Sequence, residues 1–161
     1  MSAETVELEA GMNAPLFEAI DSTGAAHELS KINSEGNGVI LYFYPKDNTP
    51  GCTVQACDFR DQKQIFQDSG YVVLGVSKDS AKSHDSFIDK QNLNFPLLMD
   101  EDLSIHQAYG VWREKKNYGR TYMGTSRSTF IISNEGILQW VGYNVKAKGH
   151  VDRILKELNN E

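Results

Sequence analysis

Two continuous apolar runs, at residues 39–44 and 71–76, constrain the fold of this chain more than any other feature of its sequence. An uninterrupted run of this length is typical of a strand that is buried on both faces, as at the centre of a parallel sheet. Segments with apolar residues at helical spacing lie between and after the two runs, at 53–67, 81–91, 103–109 and 150–158. This alternation predicts an α/β fold with a central sheet flanked by helices.

Two turns with good hairpin chemistry add antiparallel strands to this plan. Asn134-Glu135-Gly136 predicts a hairpin late in the chain, and Asp21-Ser22-Thr23-Gly24 predicts another near the N-terminus. The strands on either side would be 129–133 and 137–143 for the first turn, and 17–20 and 26–29 for the second. The later hairpin would make the central sheet mixed, and the earlier one would form an N-terminal extension.

Size, charge and hydropathy limit the class of function. The 161 residues, 40% hydrophobic and 24% charged, are typical of a globular protein, and no internal boundary is visible, so we predict a single domain spanning residues 1–161. A formal net charge of -6 gives no general attraction to phosphate backbones or anionic lipids, so neither nucleic acid nor membrane is an expected partner. The apolar runs are far shorter than a bilayer span, and the N-terminus lacks the pattern of a signal peptide, which predicts a cytoplasmic protein.

The two cysteines, Cys52 and Cys57, carry the strongest chemical signal. In a reducing compartment, two thiols close in sequence indicate redox activity or metal binding more than a structural disulfide. Cys52 would lie in the first turn of a helix, where free backbone N–H groups and the helix dipole favour a thiolate. Thr49 could bring to the same pocket a hydroxyl that accepts from a peroxide and donates to the thiolate, and Pro45 would stiffen the loop.

The other polar features predict no metal or cofactor site. None of the histidines is at metal-ligand spacing to another or to a cysteine, and all four are predicted to be surface residues: His27, His84, His106 and His150. The acidic residues at 100–102 are typical of a helix start in preference to a cation site, and the charged residues at 113–116 are predicted to form a solvated loop.

The pattern Pro45-x-x-x-Thr49-x-x-Cys52, extended to Cys57, resembles the signature of the peroxiredoxins in their bacterioferritin-comigratory (PrxQ) form. The likeness extends along nearly the whole chain and includes Phe95-Pro96-Leu97-Leu98 and the four residues that begin at Arg127. It implies a thioredoxin-like fold and a thiol peroxidase that reduces hydrogen peroxide and organic hydroperoxides in antioxidant defence.

The resemblance also implies roles for individual residues. Cys52 would be the peroxidatic cysteine that becomes a sulfenic acid, and Cys57 the resolving cysteine that closes an intramolecular disulfide with it. Thr49 and Arg127 would orient the peroxide and stabilise the thiolate. The residues at the peroxide would be Pro45, Thr49, Gly51 and Arg127. A thioredoxin, or as a lesser candidate a glutaredoxin, would then reduce the disulfide. Because the resolving cysteine lies in the same chain, we expect a monomer.

Three points follow from the residues themselves. A permanently charged guanidinium at Arg127 would favour the Cys52 thiolate and could donate to the departing oxygen. Gln55 stands where many members of the family carry Glu, so we expect altered electrostatics without loss of the reaction. If one helix runs through both cysteines, their Cα atoms are roughly 8 to 9 Å apart, whereas a disulfide needs about 4.4 to 6.8 Å. Closing the disulfide would therefore unwind the first turns of this helix.

Two other functions remain open from the sequence. A general disulfide oxidoreductase would share the fold, although it normally has two residues between its cysteines where this chain has four. A redox-sensing or chaperone-like binding protein would use the same thiols without turnover. In the plainest interpretation the cysteines are inert buried thiols, which are common in protein cores.

Overall fold

The structure, a computed structural model, describes residues 6–159. In chain order its elements are β1 (Glu18–Ile20), β2 (Ala26–Glu28), α1 (Leu29–Ser34), β3 (Gly38–Phe43), α2 (Pro50–Asp68), β4 (Tyr71–Ser77), α3 (Ala81–Gln91), β5 (Leu97–Met99), α4 (Ser104–Ala108), β6 (Trp112–Asn117), β7 (Arg120–Thr125), β8 (Ser128–Ile132), β9 (Leu138–Gly142) and α5 (His150–Asn159). Over the described range, no helix is long and apolar enough to cross a bilayer.

The central sheet contains five strands in the order β5-β4-β3-β8-β9. The strands β3, β4 and β5 run parallel to one another, whereas β8 and β9 join them antiparallel, so the sheet is mixed. The strands β1 and β2 pair as a separate antiparallel hairpin near the N-terminus. The predicted α/β class, the mixed sheet and the N-terminal hairpin are all confirmed.

Strand β3 connects the two halves of the core because all six of its residues are buried. Successive side chains point to opposite faces of a sheet. Leu41 and Phe43 accordingly pack in one cluster, together with residues of α1 and α4. Ile40 and Tyr42 pack in the other, which α2, α3 and α5 cover. This second cluster also contains Cys52, so the sheet face under α2 is the one that receives the chemically informative segment.

The prediction of a solvated loop at residues 113–116 was wrong. These residues lie in β6, which pairs with β7 from Trp112 opposite Thr125 to Asn117 opposite Arg120. Tyr118 and Gly119 connect the strands and both have positive φ, as a tight two-residue hairpin turn requires. Most side chains on both strands are exposed or half-buried, so the hairpin lacks the alternation of apolar and polar residues from which a strand is recognised.

The prediction that all four histidines are surface residues was also wrong. His84 and His106 are completely buried and His150 is 4% exposed. Each has a polar partner inside the fold, because Asp47 faces His84, Asp100 faces His106 and Thr129 faces His150. A buried imidazole is tolerated when its ring nitrogens are hydrogen-bonded. The partners of His84 and His150 lie 37 and 21 positions away along the chain, so sequence spacing does not indicate them, whereas the partner of His106 is only six positions away.

Candidate active site

Cys52 is the third residue of α2, in the first turn of the helix as predicted. Thr49 precedes the helix in an extended conformation, and Pro50 occupies the first helical turn, where the missing N–H of proline costs nothing. Cys52 is only 1% exposed and packs with Tyr42, Ala56 and Phe59. The fold therefore places this thiol beside the free N–H groups at a helix start and nearly excludes bulk water from it.

Arg127 connects the cysteine to its neighbour on α2. It directly precedes β8, and its Nη2 donates to Cys52 Sγ at 3.4 Å while its Nη1 donates to Gln55 Oε1 at 2.6 Å. The planar guanidinium suits this forked contact, because its N–H groups are held in a fixed geometry. Gly51 makes room for it, since a Cβ at that position would lie 3.2 Å from Arg127 Nη2. The structure thus brings Gly51, Cys52, Gln55 and Arg127 together.

The loop before α2 carries the other predicted peroxide ligands. Thr49 Oγ1 donates to the carbonyl oxygen of Lys46 at 2.8 Å, so the prediction that it donates to the Cys52 thiolate was wrong. Its lone pairs remain available to accept a peroxide O–H. Pro45 is half-buried, and its carbonyl oxygen accepts from Lys78 Nζ at 3.3 Å. Thr49 is therefore held by the backbone of its own loop, and Pro45 is held by a residue of the segment between β4 and α3. Both lie close to the start of α2.

Asp47 anchors this loop from inside the protein, a feature that our sequence analysis missed. Its Oδ1 accepts from the Tyr44 hydroxyl, and its Oδ2 accepts from Ser83 Oγ at 2.8 Å and from His84 Nδ1 at 2.7 Å. The other ring nitrogen of His84 lies 3.0 Å from the carbonyl oxygen of Leu98. Both nitrogens of His84 thus lie within hydrogen-bond distance of an oxygen atom. Burial lowers the pKa of His84, and the Asp47 carboxylate outweighs this effect, so the pKa is raised above its ordinary value.

Asp47, Asp79 and His84 are also the one group among the described residues whose carboxylate and imidazole atoms lie within 4.8 Å of one another, as metal ligands would. These atoms are already hydrogen-bonded. Asp79 Oδ2 accepts from the Asp47 backbone N–H at 2.9 Å and from Ser77 Oγ at 2.8 Å. A cation would have to replace these bonds, so the cluster is well explained as the support of the loop.

Cys57 lies further along α2 and is half-buried. Its Sγ donates to Gln91 Oε1 at 3.5 Å at the end of α3, and Arg60 Nη1 donates to the Gln91 carbonyl oxygen at 2.6 Å. Both cysteines are free thiols. Because α2 is helical without a break from Pro50 to Asp68, the two sulfurs face different sides of one helix, and their Cα atoms are roughly 8 to 9 Å apart by helix geometry.

Comparison with known proteins decides the family. The model of the AhpC/TSA family matches residues 10–141 of this chain. The chain belongs to this family. It is similar to Peroxiredoxin Bcp of Bacillus subtilis, with 44% identity over 153 residues, which cover 95% of this chain and 96% of that protein. A likeness of this extent and level makes the chain a peroxiredoxin of the bacterioferritin-comigratory (PrxQ) subfamily and a thiol peroxidase, with a peroxide as substrate and a thiol as reductant.

Solved structures agree with this assignment. PrxQ of Xylella fastidiosa superposes with a TM-score of 0.89 at 34% identity, over 96% of this chain and 98% of that one. The bacterioferritin comigratory protein of Xanthomonas campestris superposes with a TM-score of 0.85 at 37% identity, over 98% of each chain, and its structural study concerns alkyl peroxide reduction activity. The predicted thioredoxin-like fold is confirmed by these peroxiredoxin neighbours.

Two surface cavities flank the peroxiredoxin site, and basic residues line both. One, of about 510 Å³, includes Arg113, Lys115 and Ser126, and the other, of about 390 Å³, includes Lys146, Lys148 and Arg153; the two share Asn144. The pKa of Lys115 is lowered, first by burial and next by the positive charge of Arg127. The cysteine of this acidic protein thus lies beside a locally basic surface.

His150 lies behind this surface at the start of α5. Its Nε2 is 2.8 Å from Thr129 Oγ1, and its ring packs beside Trp140 and Phe59. Burial, followed by the charges of Arg153 and Arg127, lowers the pKa of His150 to about 4. The ring is therefore neutral at physiological pH, so it adds no charge to the site.

Proposed function

We propose that this peroxiredoxin reduces hydroperoxides through Cys52, that Cys57 resolves the oxidised sulfur, and that a thioredoxin restores both thiols. The observation that carries this proposal is the contact of the Arg127 guanidinium with Cys52 Sγ at the start of α2. A fixed cation and a helix start together favour a thiolate, which is the nucleophilic form of cysteine. An inert core thiol would gain nothing from a guanidinium directed at it.

In the first step, the Cys52 thiolate attacks the terminal oxygen of the hydroperoxide. A sulfur–oxygen bond forms as the oxygen–oxygen bond breaks, and the other oxygen leaves with the electron pair as an alkoxide or hydroxide that takes up a proton. Sulfur is oxidised by two electrons and becomes a sulfenic acid. Thr49 and Arg127 orient the peroxide, Gly51 allows close approach of the guanidinium, and Pro45 shields the site.

In the second step, the Cys57 thiolate attacks the Cys52 sulfenic sulfur; a sulfur–sulfur bond forms, the sulfur–oxygen bond breaks, and the oxygen leaves as hydroxide, which takes up a proton to become water. The intramolecular disulfide cannot form across an intact α2, because its Cα atoms would be too far apart. The first turns of α2 must therefore unwind in each cycle. A dithiol protein such as thioredoxin then reduces the disulfide by exchange, with glutaredoxin as the lesser candidate.

We extend the proposal to substrate, assembly and location. The Xanthomonas relative was studied for alkyl peroxide reduction, and this supports organic hydroperoxides as substrates here beside hydrogen peroxide. Because both cysteines lie in one chain, catalysis needs no second subunit, which supports a monomer. We also propose a cytoplasmic location, in which a thioredoxin would be available.

The test is peroxide-dependent oxidation of NADPH by the purified protein with thioredoxin and thioredoxin reductase, followed by absorbance. We expect Cys52→Ser to abolish turnover. Cys57→Ser should allow one stoichiometric oxidation of Cys52 but no cycling with thioredoxin. Full turnover by the Cys52→Ser protein would refute the proposal, whereas full cycling by the Cys57→Ser protein would refute only the role of Cys57.

A further inference from the structure

The carboxamide of Gln55 is a buried polar group with half of its hydrogen-bonding capacity unused. Gln55 has no exposed surface, and it lies one helical turn after Cys52 on the buried face of α2. Its Oε1 accepts from Arg127 Nη1 at 2.6 Å, but among residues 6–159 its Nε2 has no hydrogen-bond partner. A buried N–H group without a partner destabilises a protein, so its presence calls for an explanation.

The chemistry of Arg127 fixes the orientation of this amide. A guanidinium has only donors, so the atom of Gln55 that faces Arg127 must be the oxygen. The –NH₂ group is consequently the other branch of the amide and remains inside the fold. Gln55 and Cys52 are three residues apart, so their side chains are neighbours on the surface of α2. Arg127 also connects them, because its guanidinium contacts both side chains. The side chains of Gln55 and Cys52 thus lie on the same side of α2 and contact the same guanidinium.

We infer that Gln55 is a further catalytic residue, whose Nε2–H donates to the oxygen that is transferred to Cys52. This inference rests on the proposed function. In the reduced enzyme no oxygen is bound to sulfur, and no described protein group accepts from this donor. As the sulfur–oxygen bond forms and the oxygen–oxygen bond breaks, the transferred oxygen enters a site that excludes water and needs a donor there. A preorganised N–H at this point stabilises the transition state more than the ground state.

A glutamate at this position could not perform this role. A carboxylate can accept from Arg127 in the same way, but it has no N–H, and its charge would oppose an electron-rich oxygen. The glutamine therefore changes the chemistry of the site while preserving the contact with Arg127. A bound water is the alternative partner of Nε2, and it would give the amide no part in the reaction.

The test measures the oxidation of Cys52 by hydrogen peroxide as a function of pH in a Cys57→Ser background, so that disulfide formation does not interfere. Stopped-flow tryptophan fluorescence would follow the reaction, and mass spectrometry would verify the product. The informative quantity is the plateau rate constant at high pH, where Cys52 is fully ionised. Gln55→Glu keeps the acceptor for Arg127 but lacks the donor, whereas Gln55→Met lacks both.

We expect both substitutions to lower the plateau rate constant by roughly tenfold or more. Gln67→Glu, on the exposed surface of the same helix, is the control for an added charge and should leave the plateau unchanged. The inference is overturned if Gln55→Glu shifts only the midpoint of the pH profile, because Gln55 would then act by charge alone. A lower plateau in Gln55→Met alone would also overturn the inference, since the amide would then act only by holding Arg127 in place. Unchanged plateaus in both variants would overturn it as well.

Two controls keep this test separate from that of the proposed function. Circular dichroism establishes that each variant is folded, and Gln55→Glu alone is sufficient if Gln55→Met does not fold. If the parent Cys57→Ser protein shows no oxidation of Cys52 by mass spectrometry, the proposed function fails and this inference fails with it. Oxidation in the parent with equal plateaus in the variants would refute the role of Gln55 alone.

Discussion

Arg127 makes two contacts with α2 that a single positive charge could not make. Its two Nη atoms reach Cys52 Sγ and Gln55 Oε1 at the same time, so charge and geometry contribute separately. Lysine keeps the charge but is a compact donor on a flexible chain, so it cannot form the same fork. Substitutions at this position can therefore distinguish the two contributions.

We expect Arg127→Ala to reduce the second-order rate constant for hydrogen peroxide by about a hundredfold, because a preorganised donor at the reacting atoms is lost. Arg127→Lys should fall between Arg127→Ala and the parent protein. The measurement is stopped-flow oxidation of Cys52 at neutral pH. Arg113→Ala is the matched control, since the Arg113 guanidinium lies over the Tyr143 ring and its Nε donates to the Gly110 carbonyl oxygen. A rate within twofold of the parent for Arg127→Ala would contradict the assigned role.

His150 should make the fold sensitive to acid. Its pKa of about 4 in the folded protein is below the 6.5 of an unfolded histidine. A lowered pKa contributes stability that is present above the unfolded value and is lost as the pH falls through the folded one. The window is therefore about pH 6.5 to about pH 4, and the loss is on the order of 3 kcal/mol.

The corresponding measurement is urea unfolding of the parent protein and of His150→Asn between pH 8 and pH 4. We expect the substitution to reduce the free energy of unfolding most at pH 8, and this difference to become smaller toward pH 4. A difference that stays constant over the whole range would show that His150 is not protonated on unfolding in this window.

At the scale of elements, the two proposed steps of the reaction need different conformations of α2. Cys52 needs the intact helix start and Arg127, whereas a bond between Cys52 and Cys57 needs the same turns to be open. The contacts that must break include the one between Cys57 and Gln91 at the end of α3. This opening is local, because the second half of α2 still packs through Phe66.

We expect the disulfide form to lose amide protection at residues 50–60 relative to the reduced form, as measured by hydrogen exchange and mass spectrometry. The Cys57→Ser protein after one equivalent of peroxide is the matched control, since it is oxidised at Cys52 but cannot form the disulfide. It should keep the protection of the reduced form. Equal protection in the disulfide and reduced forms would rule out unwinding of α2.

The elements that the sequence predicted well are those whose pattern is complete within one segment. Strand β3 is apolar throughout, and helix α3 is predicted at 81–91, the bounds that the structure has. The hairpin of β6 and β7 was missed, because its polar strands pair by backbone bonds that leave no trace in side-chain pattern. The short helix α1 was also not predicted.

The residues of the candidate site also differ in how far the sequence could predict their positions. Cys52, Cys57, Thr49 and Pro45 stand in one segment, and their arrangement was predictable from it. The bond between Asp47 and His84 joins residues 37 positions apart, and no local spacing indicates it. The contact of Gln55 with Arg127 spans 72 positions, so the unpaired amide nitrogen could be recognised only in three dimensions.

At the scale of the whole molecule, charge is distributed unevenly. Between residues 111 and 153 the chain has eight Lys and Arg against three Asp and Glu, whereas the complete chain has 16 against 22. This basic segment supplies most of the lining of the two cavities beside Arg127. A region of one charge attracts ions of the opposite charge from a distance, and salt screens this attraction.

We therefore expect reduction of the disulfide form by an anionic phosphine, tris(carboxyethyl)phosphine, to slow as ionic strength rises from about 0.01 M to about 1 M. Dithiothreitol, whose attacking thiolate carries a single negative charge, is the matched control and should show a smaller change. Free-thiol quantification after acid quenching would provide both rates. Equal salt dependence for the two reductants would show that the field of the basic segment does not reach the disulfide.

The placement of both cysteines on one helix has a consequence for throughput. A molecule whose α2 is open cannot consume peroxide, and one whose α2 is closed cannot pass its electrons on, so the two halves of the cycle never overlap in time. Turnover must consequently level off at high peroxide even though the attack itself has no saturable step. In the proposed cycle the ceiling is set by whichever later step is slower, the opening and re-forming of the first turns of α2 or the reduction of the disulfide.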